Sequence, residues 1–189
     1  VALVTYGLTV EPTASYWDAG EYISTSAKLQ VGHPPGAPFF QMMGAVFSMF
    51  ASNNESIAIA VNFLSVVSSA FVILFLFWST TLFLKKISKK NNCTNDTNIL
   101  LSSSIGALAF TFSDSFWFNA VETEVYALAM LFLSATFWCG LRWEKDFNNK
   151  RGDKWLLLIC FLIGLSFGVH FMAILTIPAI GMIYFFKKY

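Results

Sequence analysis

The run Ser56–Leu84 contains no charged side chain and is longer than the roughly 18 to 20 apolar residues that cross the hydrocarbon core of a bilayer. Within a bilayer such a run must be helical, because each backbone N–H and C=O has to find its partner inside the segment. Further apolar runs follow it. The composition agrees: 56% of residues are hydrophobic, 17% aromatic with 21 Phe, and only 12% charged, which is far from the balance of a soluble domain. The predicted fold class is all-α, a polytopic transmembrane helix bundle. Spans are expected at residues 1–9 (partial), 56–84, 99–118, 124–143, 155–169 and 171–186, with Pro178 as a kink in the last. The opening VALVTYGLTV reads as the last turns of a first span, and the chain as the N-terminal part of a larger transmembrane protein.

Residues 10–55 form the loop between the first two spans. Within it, Val10–Phe40 is the one long segment that mixes carboxylates, a histidine and a Pro-Gly cluster. A short amphipathic helix is predicted from Ser15 to Leu29, with Ser15 as N-cap and Asp18 at the third helical position. Asp18 and Glu21 are three apart and so share a face. The turn His33-Pro34-Pro35-Gly36 ends that helix, since prolines cannot continue it. Ala37–Ala51 is apolar but covers only about 22 Å as a helix, too short for a bilayer, and is read as a surface or half-buried helix on the same side.

Lysine and arginine orient the chain. Lys85, Lys86, Lys89 and Lys90 form one cluster; Arg142, Lys145, Lys150, Arg151 and Lys154 form a second; Lys187 and Lys188 close the chain. With Ala37–Ala51 not spanning, all three clusters fall on one face, the cytoplasmic one by the positive-inside rule. Glu11, Asp18, Glu21, Glu55, Asp114, Glu122 and Glu124 then lie on the other face, with Lys28 as its single cation. Cys93, Cys139 and Cys160 have no metal-binding spacing and indicate neither a disulfide framework nor a zinc site. The sequons at Asn54, Asn92 and Asn95 carry no weight, as two of them sit on the cytoplasmic face.

Several residues are candidates for chemistry. Asp18 and Glu21 are either helix-capping acids or a pair suited to a general base or metal ligand, because a dipole-stabilised carboxylate stays ionised. His33 is either a loop residue or an imidazole that donates to a phosphate oxygen. Glu122 and Glu124, in WFNAVETEVYAL, are either a solvated turn or carboxylates at membrane depth flanked by an aromatic belt. His170, in GLSFGVHF, is a further outward polar site at the tip of the last hairpin. All six map to one face. No nucleotide-binding, zinc-protease or nucleic-acid-binding pattern is present, so nucleic acid is excluded as a partner.

The run TVEPTASYWDAGEYISTSAKLQVGHPPGAPFF closely resembles the opening of a bacterial family of large multi-spanning proteins, long catalogued as a domain of unknown function. That family is related to the O-mannosyltransferases that modify plexin-type receptor domains. The later WFNAVETEVYAL and GLSFGVHF segments are similar to it as well. The resemblance implies a type C glycosyltransferase architecture, with surface helices in the first extracytoplasmic loop and a polyprenyl-phosphate sugar as donor. By the same resemblance Asp18 matches the first-loop acid and would be the catalytic base. Glu21 matches the second acid of the motif, and His33, Pro34 and Pro35 match the turn. It further implies an acceptor protein as partner and a bacterial inner-membrane location with the site facing the periplasm.

The expected reaction moves a sugar, mannose by the resemblance, from the lipid phosphate to a Ser or Thr hydroxyl. A leaving phosphate needs cationic or hydrogen-bonding help. On the expected topology Lys28, His33 and His170 are the groups in the chain that can supply it, and the alternative is a divalent cation held by Glu21, Glu122 or Glu124. Two rival classes stand beside the enzyme. One is a transporter or flippase for a lipid-linked sugar, which should carry ionisable or broken-helix features near mid-membrane. The other is a membrane anchor, which leaves WDAGE and HPPG without a purpose.

Overall fold

The charge-free run becomes the longest helix of the chain, α4 (Ile57–Lys90), which extends past the expected end at Leu84 and is about 51 Å long. The computed structural model describes residues 1–91, 95–149 and 152–189. Cys93, the Asn92 sequon, Lys150 and Arg151 lie outside the described residues. In chain order the other helices are α1 (Ala2–Leu8), α2 (Ala19–Lys28), α3 (Pro38–Ser48), α5 (Asp96–Thr111), α6 (Asp114–Val121), α7 (Val125–Asp146), α8 (Lys154–Ser166) and α9 (Ile177–Lys188). Short 3-10 turns at Asn54–Ser56 and Phe171–Thr176 lead into α4 and α9. No strand occurs among the described residues. The protein is therefore an all-helical bundle. Three of its helices are long and apolar enough to cross a membrane, or four if a bent pair counts as one span.

The 3-10 turn that leads into α4 is capped by its own local sequence. The Asn53 carboxamide accepts from the Ser56 amide at 2.9 Å, and the Ser56 hydroxyl accepts from the Asn53 amide at 3.1 Å, a reciprocal cap. α4 buries Ser65, Ser68 and Ser69 among Val61, Leu64, Val66 and Val72. Small side chains there let neighbouring helices approach closely. α5 is capped by Asn95, whose side chain accepts from the Thr97 and Asn98 amides at 3.1 and 3.3 Å, so this sequon residue is a helix cap.

The structure differs from expectation at three elements. The predicted single span 99–118 is two helices, α5 and α6, bent by 67° at Phe112–Ser113. Ser113 is extended, and Asp114 sits in the first turn of α6 where an acid complements the helix dipole. The first arm of the last hairpin is shorter than drawn, while its second arm, Phe171–Lys188, is long and apolar enough to cross a membrane. α8 is thirteen residues, and Pro178 does not kink a helix but occupies the first turn of α9, where its missing N–H costs nothing. Finally, α2 begins at Ala19, so Ser15 is not its cap; Asp18 holds that position.

α3, eleven residues, stays short as the sequence indicated. It buries Phe40 against Tyr22 of α2, Leu64 of α4, Leu128 and Phe132 of α7, and Ala173. Its first turn is tied to the last hairpin: the Phe39 amide donates to the Gly168 carbonyl at 2.8 Å. A Cβ on Gly168 would come within 2.7 Å of the Phe39 Cβ, so glycine is required for that approach. A second cluster joins α1 to the bundle. The Tyr6 hydroxyl donates to the Thr111 carbonyl at 2.8 Å, and its ring meets Phe116 and Trp117 edge-on at 6.1 Å.

Candidate functional site

Three loops converge at the N-terminal end of α4: the entry to α2, the His33–Gly36 turn, and the break between α6 and α7. Asn62, one turn inside α4 and 1% exposed, holds two of them together. Its carboxamide nitrogen donates to the Glu11 and Thr13 carbonyls at 2.6 and 2.9 Å, and its oxygen accepts from the Thr123 hydroxyl. The Glu11 amide also donates to the Val121 carbonyl at 2.9 Å. The segment leading to Asp18 is thereby fixed against the segment carrying Glu122 and Glu124.

Asp18 takes the N-cap position of α2, yet its carboxylate makes no capping hydrogen bond, and the side chain is 54% exposed. The preceding residue, Trp17, has φ +60, a conformation that costs a bulky side chain, and is 87% exposed. Glu21, in the first turn, is not a cap either. Its carboxylate accepts from the His33 amide at 2.6 Å and faces the ring Nδ1 at 3.0 Å. The other ring nitrogen lies 3.9 Å from Asp18. With Nδ1 as the donor to Glu21, Nε2 faces Asp18 and the solvent. The two bonds from His33, the backbone one foremost, hold the Glu21 carboxyl below its usual range, and the Glu21 contact raises the His33 imidazole above its own.

This pairing depends on close approach. A Cβ on Gly32 would sit 2.9 Å from the Gln41 side chain and 3.0 Å from Glu21. Gln41, buried on α3, takes the amide orientation in which it donates to the Gln30 carbonyl at 3.2 Å and accepts from the Gly32 amide at 3.0 Å. α3 thus pins the strand of chain that delivers His33. The turn itself closes with the Gly36 amide donating to the His33 carbonyl at 2.8 Å. Gly36 has φ +76, where a side chain would be strained.

Glu122 and Glu124 are not a solvated turn. They are 3% and 7% exposed, in an extended stretch that ends α6 and starts α7. Both line a cavity of about 320 Å³ together with Trp17, Asp18, Asn119 and Tyr126. Burial, reinforced by the charges of Asp18 and Glu122, pushes the Glu124 carboxyl up to about 7. Burial also raises Glu122, partly offset by the buried Ser15 hydroxyl beside it. Tyr22, packed beneath the site, is pushed up to about 12 by burial and by the Glu124, Asp18 and Glu21 carboxylates.

The remaining expected residues lie further out. The His170 ring is 5.6 Å from the Tyr126 ring, so it backs a wall of the cavity and does not line it. Lys28 is exposed in the last turn of α2, about 15 Å along the helix from Asp18, where it complements the helix dipole. Of the cation ligands expected, Glu21, Glu122 or Glu124, Glu21 stands in a cluster of possible ligand atoms. Among the described residues the atoms lying within 4.8 Å of one another belong to Asp18, Glu21 and His33. Two carboxylates and an imidazole can hold a divalent cation. Arg142 is at the far end of α7, beside Trp138 and Trp155 and 3.7 Å from Asp146, and supplies no charge here. Reasoning from sequence missed Asn62, Gln41, Gly32 and Trp17. Of these, Asn62 had a signal, as a carboxamide inside a charge-free run.

Comparison with known proteins converges on one family. Residues 18–189 match the family model described as the protein O-mannosyl-transferase TMEM260 N-terminal domain. The chain is 29% identical over 151 residues to a Dictyostelium discoideum protein named protein O-mannosyl-transferase tmem260, covering 78% of this chain and 17% of that protein. It is 27% identical over 162 residues to the Mus musculus protein of that name, covering 85% of this chain and 21% of the relative. The chain thus spans about a fifth of the length of these relatives. No solved structure matches it. The family match takes in every acid and imidazole of the site just described, and the chain belongs to the TMEM260-type protein O-mannosyl-transferase family, as part of its N-terminal domain.

Proposed function

We propose that this chain carries the catalytic base of a membrane O-mannosyltransferase of type C architecture, using a polyprenyl-phosphate mannose donor. The observation that carries the reading is Asp18. It sits at a helix N-terminus without serving as a cap, half-exposed, at the mouth of a buried carboxylate cavity. A carboxylate so placed is free to accept a proton. In the reaction, Asp18 takes the proton from a Ser or Thr hydroxyl of an extracytoplasmic protein. The oxygen forms a bond to the anomeric carbon as the bond to the lipid phosphate breaks, and the phosphate leaves with inversion.

His33 is the cationic group nearest to that chemistry. Held by Glu21, which favours its protonated form, it donates from Nε2 to a phosphate oxygen; if the enzyme instead uses a divalent cation, Asp18, Glu21 and a neutral His33 would hold it. Glu122 and Glu124 accept hydrogen bonds from sugar hydroxyls within the cavity. In a bacterial host the site faces the periplasm from the inner membrane. The gathering of acids at one end of the bundle supports a surface-facing enzyme over a transporter, which needs polar groups near mid-membrane.

The test uses the full-length parent protein in membranes, with labelled polyprenyl-phosphate mannose and a Ser/Thr-rich acceptor. Wild type should transfer label, and Asp18→Asn, expressed equally, should lose at least about a hundredfold of the rate. Equal transfer by both would remove Asp18 from the chemistry.

A further inference from the structure

At the opposite end of the bundle, about 36 Å along α4 from Asn62, the ends of α4, α7 and α9 meet around a second cavity of about 310 Å³. Leu82, Phe83 and Leu141 form its apolar lining. Lys85, Lys86, Lys89, Lys145 and Lys187 form its rim, with Glu144 as the one acid. Lys86 pairs with Glu144, and Lys85 lies 3.7 Å from Asp96. Among the described residues Lys89, Lys145 and Lys187 have no carboxylate within ion-pair distance. One such lysine therefore comes from each of the three helices.

The positive-inside rule accounts for lysines at this end of the molecule, and helix C-termini attract cations individually. Neither requires three ammonium groups without a paired carboxylate to converge on a common cavity, where they repel one another. A ligand that removes that repulsion has to be anionic. The apolar lining, next to the charge-free stretch of α4, favours an anion attached to an acyl chain over a free one.

We propose that this cavity binds the headgroup phosphate of an anionic phospholipid, with Lys89, Lys145 and Lys187 on the phosphate oxygens and an acyl chain along Leu82 and Leu141. The proposal is independent of the reaction at Asp18.

The experiment takes the full-length parent protein, delipidated in neutral detergent, and adds back phosphatidylglycerol or phosphatidylcholine. Retained lipid is counted by native mass spectrometry. Phosphatidylglycerol should be retained over phosphatidylcholine by at least about tenfold, and inorganic phosphate should not displace it. The combined variant Lys89→Gln, Lys145→Gln, Lys187→Gln should lose that preference. The charge-matched variant Lys90→Gln, Lys154→Gln, Lys188→Gln, whose side chains do not line the cavity, should keep it. Thermal midpoints check that both variants fold. If the first does not, Lys145→Gln alone should still show partial loss. Equal loss in both triple variants would reduce the effect to bulk charge and overturn the site. No preference in wild type, or displacement by inorganic phosphate, would overturn it as well.

Discussion

Single residues at the site act through the partners they meet. Glu21 fixes His33 by two bonds, and the raised imidazole follows from them. A group whose folded-state pKa is raised stabilises the fold fully below its unfolded value and loses that contribution as pH rises through the folded value. If protonated His33 assists the leaving phosphate, transfer falls as pH rises through the same point. Glu21→Gln removes the cause, so the falling limb of the pH–rate profile should move to lower pH; an unmoved limb would separate His33 from the leaving group. Glu124 is raised as well, but it is an acid, so its ionisation opposes folding. Stability should decline between about 4.5 and about 7 and stay reduced above. Glu124→Gln should flatten that slope and stabilise the protein at pH 8 by up to roughly 3 kcal/mol, read from thermal midpoints across pH. A slope unchanged by the substitution would place the titrating group elsewhere.

At the scale of elements, α4 is both a span and the post to which the site is attached. Asn62 satisfies two carbonyls and a hydroxyl from two segments that also meet through the Glu11–Val121 backbone bond. Asn62→Ala leaves those buried groups without partners. The expected loss is roughly 3 kcal/mol of stability, measured by denaturation in mixed micelles, together with a fall in transfer. Stability lost without a change in transfer would mean the loops hold their positions without it. The bend between α5 and α6 serves the same end. It turns α6 so that Glu122 and Glu124 point into the cavity beside Asp18, a placement that a straight span over 99–118 would not give.

For the whole molecule, the carboxylates of the candidate site gather at one end and the lysine cavity lies at the other, separated by about the thickness of a hydrocarbon core. This is the charge division read from the sequence, now with geometry attached. Single cysteines placed at Asn53 and Ser88 in a cysteine-free parent should react with a membrane-impermeant maleimide from opposite faces. Reaction of both from one side would mean that α4 does not cross.

The sequence by itself determined the membrane class, the shortness of α3, the elbow and its turn, because these follow from hydropathy, length and proline, which act over neighbouring residues. It also placed Asp18 and Glu21 near His33 in the chain. Tertiary structure alone decided that Glu21 grips His33 instead of capping a helix, that Glu122 and Glu124 are buried, that His170 and Lys28 stand outside the cavity, and that three lysines share another. Each of these depends on burial and on the separation of residues distant in the chain. Local spacing carries no information about either until Asn62 and the packed faces of α3, α4 and α7 bring the segments together.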